Sequence, residues 1–414
     1  MKKFIAPTQI NGIVAAPASK SDMLRAAAAA YLTGKTCEIV HPSFCDDAKA
    51  ALGIVSALGT QLDLRSDNIL FSPGNLKPEP VLDCGESGLC IRMFPSIAAL
   101  RPETMTLTGR GSLISRPLDM IVQPLRELGV VCQTNNGFAP ITVTGPLQAG
   151  KAVVDASVTS QFLTGLLMAL PLCQGTSEII VKNLKSTPYI AMTLHLLEQF
   201  GILVEHEQYE HFLIHGPQPY HPLSYSVEGD WSGAAFLLVA GAIAGNVSVT
   251  NLKLDSLQAD RAILDALARC GADLTLEESR VSAHQGTLYG FEFDAVDCPD
   301  LFPPLVALAC ACKGKTVIYG AQRLKVKESD RGIALLTEFR KIGANIALYP
   351  DRMEISGSEL DGGNVHAYND HRIAMACAIA ALRSRKGVTI EGAECVAKSY
   401  PQFYEDLQST AVYT

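Results

Sequence analysis

One feature constrains this chain more than any other, because the same short pattern returns at a period of roughly 70 residues, the mark of a repeated supersecondary unit. A helix-like stretch closes on glycine before a strand at Gly59, Gly129, Gly201, Gly271 and Gly343, with successive spacings of 70, 72, 70 and 72. Glycine just past a helix end takes the left-handed conformation cheaply and turns the chain from helix to strand. A second glycine follows each of these, at Gly74, Gly145, Gly216, Gly286 and Gly357, so the interval reads as strand, turn, strand. Between hairpins lies a more apolar helix that ends before a β-branched strand. Its end falls at Gly34, Pro102, Gly175, Gly245, Gly314 and Gly387, with spacings of 68, 73, 70, 69 and 73. Six units, each helix, strand, helix, hairpin, account for nearly all of the 414 residues.

The sixth unit lacks its hairpin, since the chain stops at Thr414, too soon after Gly387 to complete one. The segment Phe4–Ala15, with Gly12, reads as the missing strands. Three units per domain follow, with one domain at 13–227 and the other at 228–414 plus 1–12. Two chain crossings between them form a hinge. The composition suits this: 48% hydrophobic residues can fill large cores, and a net charge of −8 counts against nucleic acid or an anionic membrane as partner. Twelve cysteines include no Cys-x-x-Cys pair, and read as small buried hydrophobes in a reducing cytoplasm. Pro7, Gln9 and Asn11 break up the only signal-peptide-like stretch. The longest apolar run, Phe236 to Gly245, is about ten residues, too short to span a bilayer. The expectation is a cytoplasmic monomer with no metal and no cofactor. Four histidines, His206, His211, His215 and His221, cluster near one hairpin and read as a solvated surface. The lone Trp231 reads as core.

Each apolar helix begins with polar residues: Ser19-Lys20-Ser21, Glu86-Ser87-Gly88, Thr159-Ser160-Gln161, Asp230-Trp231-Ser232, Pro299-Asp300 and Asn369-Asp370-His371-Arg372. Helix capping explains Ser, Thr, Asp and Asn there. It does not explain Lys20 or Arg372, because a cation opposes the helix dipole at that end. Cations at helix starts make sense where an anion also binds, and repeated units could aim several such starts at one shared cleft. Arg25, Arg92, Arg116, Lys398 and the run Lys325-Val326-Lys327-Glu328-Ser329-Asp330-Arg331 extend the set.

Seven of these segments, PASKSDMLR, VTSQF, STPY, CPD, KVKESDR, YNDHRIAM and CVAKSYP, resemble in order the motifs of the 5-enolpyruvylshikimate-3-phosphate synthase family. The matches run from residue 17 to about residue 404. The resemblance implies an inside-out α/β barrel fold of two domains, each built of three repeats. It also implies enolpyruvyl transfer from phosphoenolpyruvate to shikimate 3-phosphate. It places Lys20 between the two substrates and gives Ser21, Arg25, Thr159, Ser160, Ser186 and Lys327 to shikimate 3-phosphate. Gln161 would touch both substrates, while Gly88, Arg116, Arg331, Arg372 and Lys398 would hold phosphoenolpyruvate. Asp300, also expected at shikimate 3-phosphate, is the base toward the hydroxyl, and Glu328 and Lys20 are the candidates for protonating the methylene.

The chemistry fits that residue inventory. Two phosphorylated substrates repel each other, a phosphate monoester alone carrying about −1.5 to −2 near neutrality, so fixed arginine forks are needed. Glu86-Ser87-Gly88-Leu89 departs from the family's usual Asn-Ala-Gly-Thr, which implies reduced sensitivity to glyphosate, the family's inhibitor. Arg323 and Leu24 depart from common asparagines. Two other readings stand beside this one: an enolpyruvyl transferase acting on UDP-N-acetylglucosamine, which would need a cysteine in the loop GRGSLISRP, and a phosphate-binding homologue without catalysis.

Overall fold

The computed structural model describes residues 1–74 and 78–412. Among the described residues there are twelve α-helices: α1 (Lys20–Leu32), α2 (Asp46–Ala57), α3 (Gly88–Ala98), α4 (Val122–Glu127), α5 (Gln161–Ala169), α6 (Thr187–Gln199), α7 (Trp231–Ala244), α8 (Ile263–Arg269), α9 (Phe302–Ala311), α10 (Arg331–Lys341), α11 (His371–Ala381) and α12 (Phe403–Ser409). The odd-numbered helices are the apolar ones of the repeat. Every residue of α3, α7 and α11 is buried, as expected for helices apolar on all sides. Small residues let them pack closely: a Cβ on Gly165 of α5 would run into the Met93 carbonyl of α3.

Among the described residues the strands form six separate sheets, five of four strands and one of three. These are open sheets, and no closed barrel is present among the described residues. In one sheet Val81–Asp83 runs parallel to Thr104–Thr108, which pairs antiparallel with Phe138–Thr144, and Val131–Asn135 completes the hairpin. The parallel pair brackets α3, so each repeat is a strand–helix–strand unit with a hairpin added. The same order recurs around α5 and α9. The five turn glycines at 59, 129, 201, 271 and 343 have φ between 79° and 105°, the left-handed conformation their spacing implied.

Around α1 and α7 the strands are exchanged. Ile10–Ala15 precedes α1 but pairs with Gly245–Thr250, after α7. Ser224–Ser226 precedes α7 but pairs with Cys37–Val40, after α1. The N-terminal strands therefore do not jointly replace the sixth hairpin. Lys2–Ile5 pairs with Val388–Glu391 of the sixth unit, and Ile10–Ala15 joins the fourth. The chain divides into two compact units, 1–17 with 228–414, and 18–227. The crossing falls after Pro17 instead of at residue 13, because Ile10–Ala15 stays paired along its full length. No helix among the described residues is long and apolar enough to cross a membrane. Trp231 is fully buried and its indole N–H donates to the Lys253 carbonyl at 3.1 Å.

Candidate active site

The residues singled out by sequence fall into two clusters, one in each unit. In unit 18–227, α1 begins with Lys20 and Ser21 after a true cap, the Ser19 hydroxyl accepting from the Asp22 N–H at 3.4 Å. Lys20 Nζ lies 3.1 Å from Asp47 on α2. Arg25 is only 1% exposed. Its Nε donates to Thr193 Oγ1 at 2.9 Å, and its two Nη atoms donate to the carbonyls of Ser21 (2.7 Å) and Tyr189 (3.3 Å). Burial pushes this guanidinium down to about 10, so it remains charged at neutral pH. Its hydrogen bonds go to neutral oxygens, and the buried Asp22 carboxylate nearby favours its charged form.

At the start of α3 the missing side chain of Gly88 matters. A Cβ there would lie 2.7 Å from Arg116 Nη1 and 3.2 Å from Arg92 Nη1, so two guanidinium groups close over bare backbone. Arg92 Nη1 also donates to Gln161 Oε1 at 2.9 Å, which ties the start of α3 to the start of α5. Capping accounts for Ser19 and Ser87 but not for every predicted residue. The Gln161 N–H goes to Thr159 Oγ1 at 3.2 Å, while Ser160 makes no cap bond. Ser186 precedes α6 in a left-handed conformation (φ 59°) and makes no cap bond either. A non-glycine residue in that region is strained and needs a reason. Glu86, the unusual acid, accepts from the Ser112 N–H at 3.4 Å.

The cluster in the other unit is built on Asp300. Asp230, Asp300 and Asp370 stand one repeat period apart, each at the start of an apolar helix. Asp230 and Asp370 cap theirs, accepting from N–H groups of Ser232, Gly233 and Arg372. Asp300 lies in a short 3-10 turn, Pro299–Leu301, and α9 has no side-chain cap. Its carboxylate instead meets Arg331 Nη1 (2.7 Å), Lys327 Nζ (3.2 Å) and Arg372 Nη2 (3.2 Å). Burial alone would raise this carboxyl, but Arg372, Lys327 and Arg331 outweigh it and hold Asp300 well below the usual carboxylate range. Burial lowers the Lys327 ammonium against the pull of Asp300. Arg331 is fully buried and also meets Glu328 (2.6 Å) and Asp370 (3.0 Å). Burial would lower this guanidinium, but Asp370, Glu328 and Asp300 outweigh it and raise it. Lys398, 6% exposed, donates to the Asn369 carbonyl at 2.6 Å.

Asp260 is a residue that sequence reasoning missed. It is 2% exposed, its Oδ2 accepts from the Ser232 hydroxyl, and its Oδ1 has no partner. Burial first, then the Asp300 charge, pushes it up to about 6, against Arg372. A signal existed: Gln258-Ala259-Asp260-Arg261 lies one repeat period before Glu328-Ser329-Asp330-Arg331. Asp47 and Thr193, the partners of Lys20 and Arg25, carried no comparable mark. The histidine cluster is ordinary surface: His206 stacks on Tyr209, His211 and His215 meet glutamates, and no metal-holding group exists among the described residues. Leu24 is fully buried in the core.

Comparison with known proteins places these clusters in context. A family model for EPSP synthase (3-phosphoshikimate 1-carboxyvinyltransferase) matches residues 5–407. A relative from Clostridium kluyveri named 3-phosphoshikimate 1-carboxyvinyltransferase is 38% identical over 410 residues, 98% of this chain and 96% of that one. One of the same name from Clostridium acetobutylicum is 39% identical over 412 residues, 98% and 96% of the two chains. The solved EPSP synthase of Acinetobacter baumannii superposes with a TM-score of 0.84 at 25% identity, over 99% and 98% of the two chains. The enolpyruvyl transferase NikO of Streptomyces tendae, at 17% identity and TM-score 0.78 over 99% and 97%, shares the fold.

Proposed function

The chain belongs to the EPSP synthase family, and on that premise we propose how its two clusters divide the work of one reaction. That reaction transfers the enolpyruvyl group of phosphoenolpyruvate to the 5-hydroxyl of shikimate 3-phosphate, giving the enol ether and inorganic phosphate. We assign Ser21, Arg25, Thr159, Ser160, Ser186 and Lys327 to shikimate 3-phosphate. Arg25 supports this assignment, because a buried cation held by neutral oxygens is prepared for an anion. Gly88, Arg116, Arg331, Arg372 and Lys398 take phosphoenolpyruvate, and Lys20 and Gln161 serve both substrates.

In the addition step the 5-hydroxyl oxygen bonds to C2 of phosphoenolpyruvate and its proton passes to Asp300. C3 gains a proton from Glu328 or Lys20, giving a tetrahedral intermediate. The group that protonated C3 takes a C3 proton back as the C2–O bond to phosphate breaks, and the proton held by Asp300 leaves on the released phosphate. Asp300 is ionised, as a base must be, but three cations make it a weak one. An anionic substrate that engages Arg331 and Arg372 draws them from Asp300 and strengthens it as a base. The base is thereby coupled to the presence of its substrate.

The observation that carries this reading is the convergence of Lys327, Arg331 and Arg372 on an aspartate released from helix capping. Phosphate release on mixing the enzyme with phosphoenolpyruvate and shikimate 3-phosphate tests it. Release is expected with that pair. No release with it, but release when UDP-N-acetylglucosamine is supplied, overturns the reading. A reducing, cytoplasmic setting fits the twelve cysteines, all buried and free.

A further inference from the structure

Glu338 lies outside both clusters, has no part in the chemistry above, and is completely buried. Such a carboxylate needs a full set of donors, and it has one. Oε1 accepts from the Tyr368 hydroxyl at 2.6 Å, and Oε2 from the His366 backbone N–H at 2.9 Å. Lys341 Nζ donates to both oxygens at 2.8 Å. The two from Lys341 are bonds within α10, and the third, from His366, could serve any helix-to-strand contact. The fourth, from Tyr368, is harder to explain as packing, because Tyr368 is 39% exposed and its ring needs no anchor for burial.

The segment held in this way has a constrained backbone. Tyr368 and Asn369 both have left-handed backbones, with φ of 54° and 55°. Asparagine tolerates that conformation, but for tyrosine it costs on the order of 1–2 kcal/mol. The turn exposes the Asn369 carbonyl, which receives Lys398 Nζ, and leads into Asp370 and Arg372. Its far end is gripped by Arg331, whose Nε donates to Asp370 Oδ2 at 3.0 Å. Arg331 and Glu338 both lie on α10, about two turns apart along the same face. One helix face thus holds the strained turn at both ends, with a buried cation on one side and a buried carboxylate on the other.

We infer that Glu338, through Tyr368, is a positioning residue that fixes the left-handed turn and so sets Lys398 and Arg372 for phosphoenolpyruvate. This rests on the assignment of those two cations made above. Tyr368→Phe removes a single hydrogen bond at a half-exposed side chain and leaves Glu338 with its other donors, so it tests the link without the folding risk of Glu338→Gln. A bond to a buried carboxylate is among the stronger kinds, and the expected result is a five- to tenfold rise in KM for phosphoenolpyruvate. KM for shikimate 3-phosphate should stay within about twofold, and Lys398→Ala alone should raise KM for phosphoenolpyruvate. In the Lys398→Ala background the effect of Tyr368→Phe should shrink, since the two act through one contact. If Tyr368→Phe lowers the melting temperature but leaves both KM values alone, Glu338 is a structural anchor only and the inference is wrong. If Lys398→Ala leaves KM for phosphoenolpyruvate unchanged, the assignment of Lys398 fails and the inference falls with it.

Discussion

Asp260 offers a test in which physics, and not analogy, sets the sign. Its carboxyl is pushed up to about 6 from an ordinary 3.8, first by burial and then by the Asp300 charge. A carboxyl raised in the folded state favours folding while protonated, and that contribution is lost as pH climbs from about 4 through about 6. One pKa unit corresponds to about 1.4 kcal/mol, so between pH 4 and 7 the loss comes to about 2 kcal/mol. In a unit of this size that is on the order of 5 °C in melting temperature. Asp260→Asn keeps an acceptor for Ser232 but places amide hydrogens where Oδ1 now has no partner, which costs about 1–3 kcal/mol at every pH. Absolute stability is therefore the wrong readout, and the pH dependence is the right one. Melting temperatures of wild type and Asp260→Asn, measured from pH 4 to pH 8, should converge in favour of the variant as pH rises. If the wild type instead keeps its lead over the variant unchanged between pH 4 and pH 7, the carboxylate is ionised throughout as a net stabilising partner of Arg372, and the assignment of Asp260 as a buried, reluctantly charged acid is wrong.

Three further outcomes concern the other cluster. Gly88→Ala should still fold, since the atoms its methyl meets are the far ends of two flexible side chains. The new methyl must displace Arg116 and Arg92, so steady-state kinetics should show KM for phosphoenolpyruvate raised several-fold and KM for shikimate 3-phosphate nearly unchanged. Arg25→Lys removes a three-way fork that an ammonium cannot reproduce, and should raise KM for shikimate 3-phosphate about tenfold or more while leaving that for phosphoenolpyruvate near wild type. Glu86 and Leu89 flank the Gly88 site, and the inhibition constant for glyphosate should exceed that of a relative carrying Asn and Thr there; an equal constant removes those residues from inhibitor access.

The repeat was legible because it is written in glycines, whose positive φ leaves a mark no other residue replaces cheaply. Helix ends and the number of units followed from that mark, while the hairpin glycines at 74, 145, 216 and 357 answer to close backbone approach, a Cβ at each meeting a carbonyl oxygen. The strand exchange around α1 and α7 was not legible, since Ile10–Ala15 and Ser224–Ser226 each look like any other short strand and pairing partners are a matter of three-dimensional register. In the site, cations at helix starts stood out because they oppose the helix dipole. The resemblance marked Asp300 as the base, but its position alone reads as one more cap, and its three partners show that it was released from that duty. Asp260, Asp47 and Glu338 stayed hidden because a buried carboxylate has the same letter as a solvated one. Asp260 alone left a trace, through its echo one repeat later at Asp330.

In the proposed reaction Asp300, freed from capping and held by three cations, accepts the proton of the attacking hydroxyl. The most direct measurement is the nuclear magnetic resonance spectrum of the product formed from phosphoenolpyruvate labelled with carbon-13 at C2, with wild type and with Asp300→Asn. The account predicts an enol-ether carbon attached at the 5-oxygen of shikimate 3-phosphate with wild type. It predicts that Asp300→Asn, still folded and still binding both substrates, forms that product at least about a hundredfold more slowly. Product formation by Asp300→Asn at the wild-type rate, or phosphate release by wild type with labelled pyruvate and no enol ether, contradicts it.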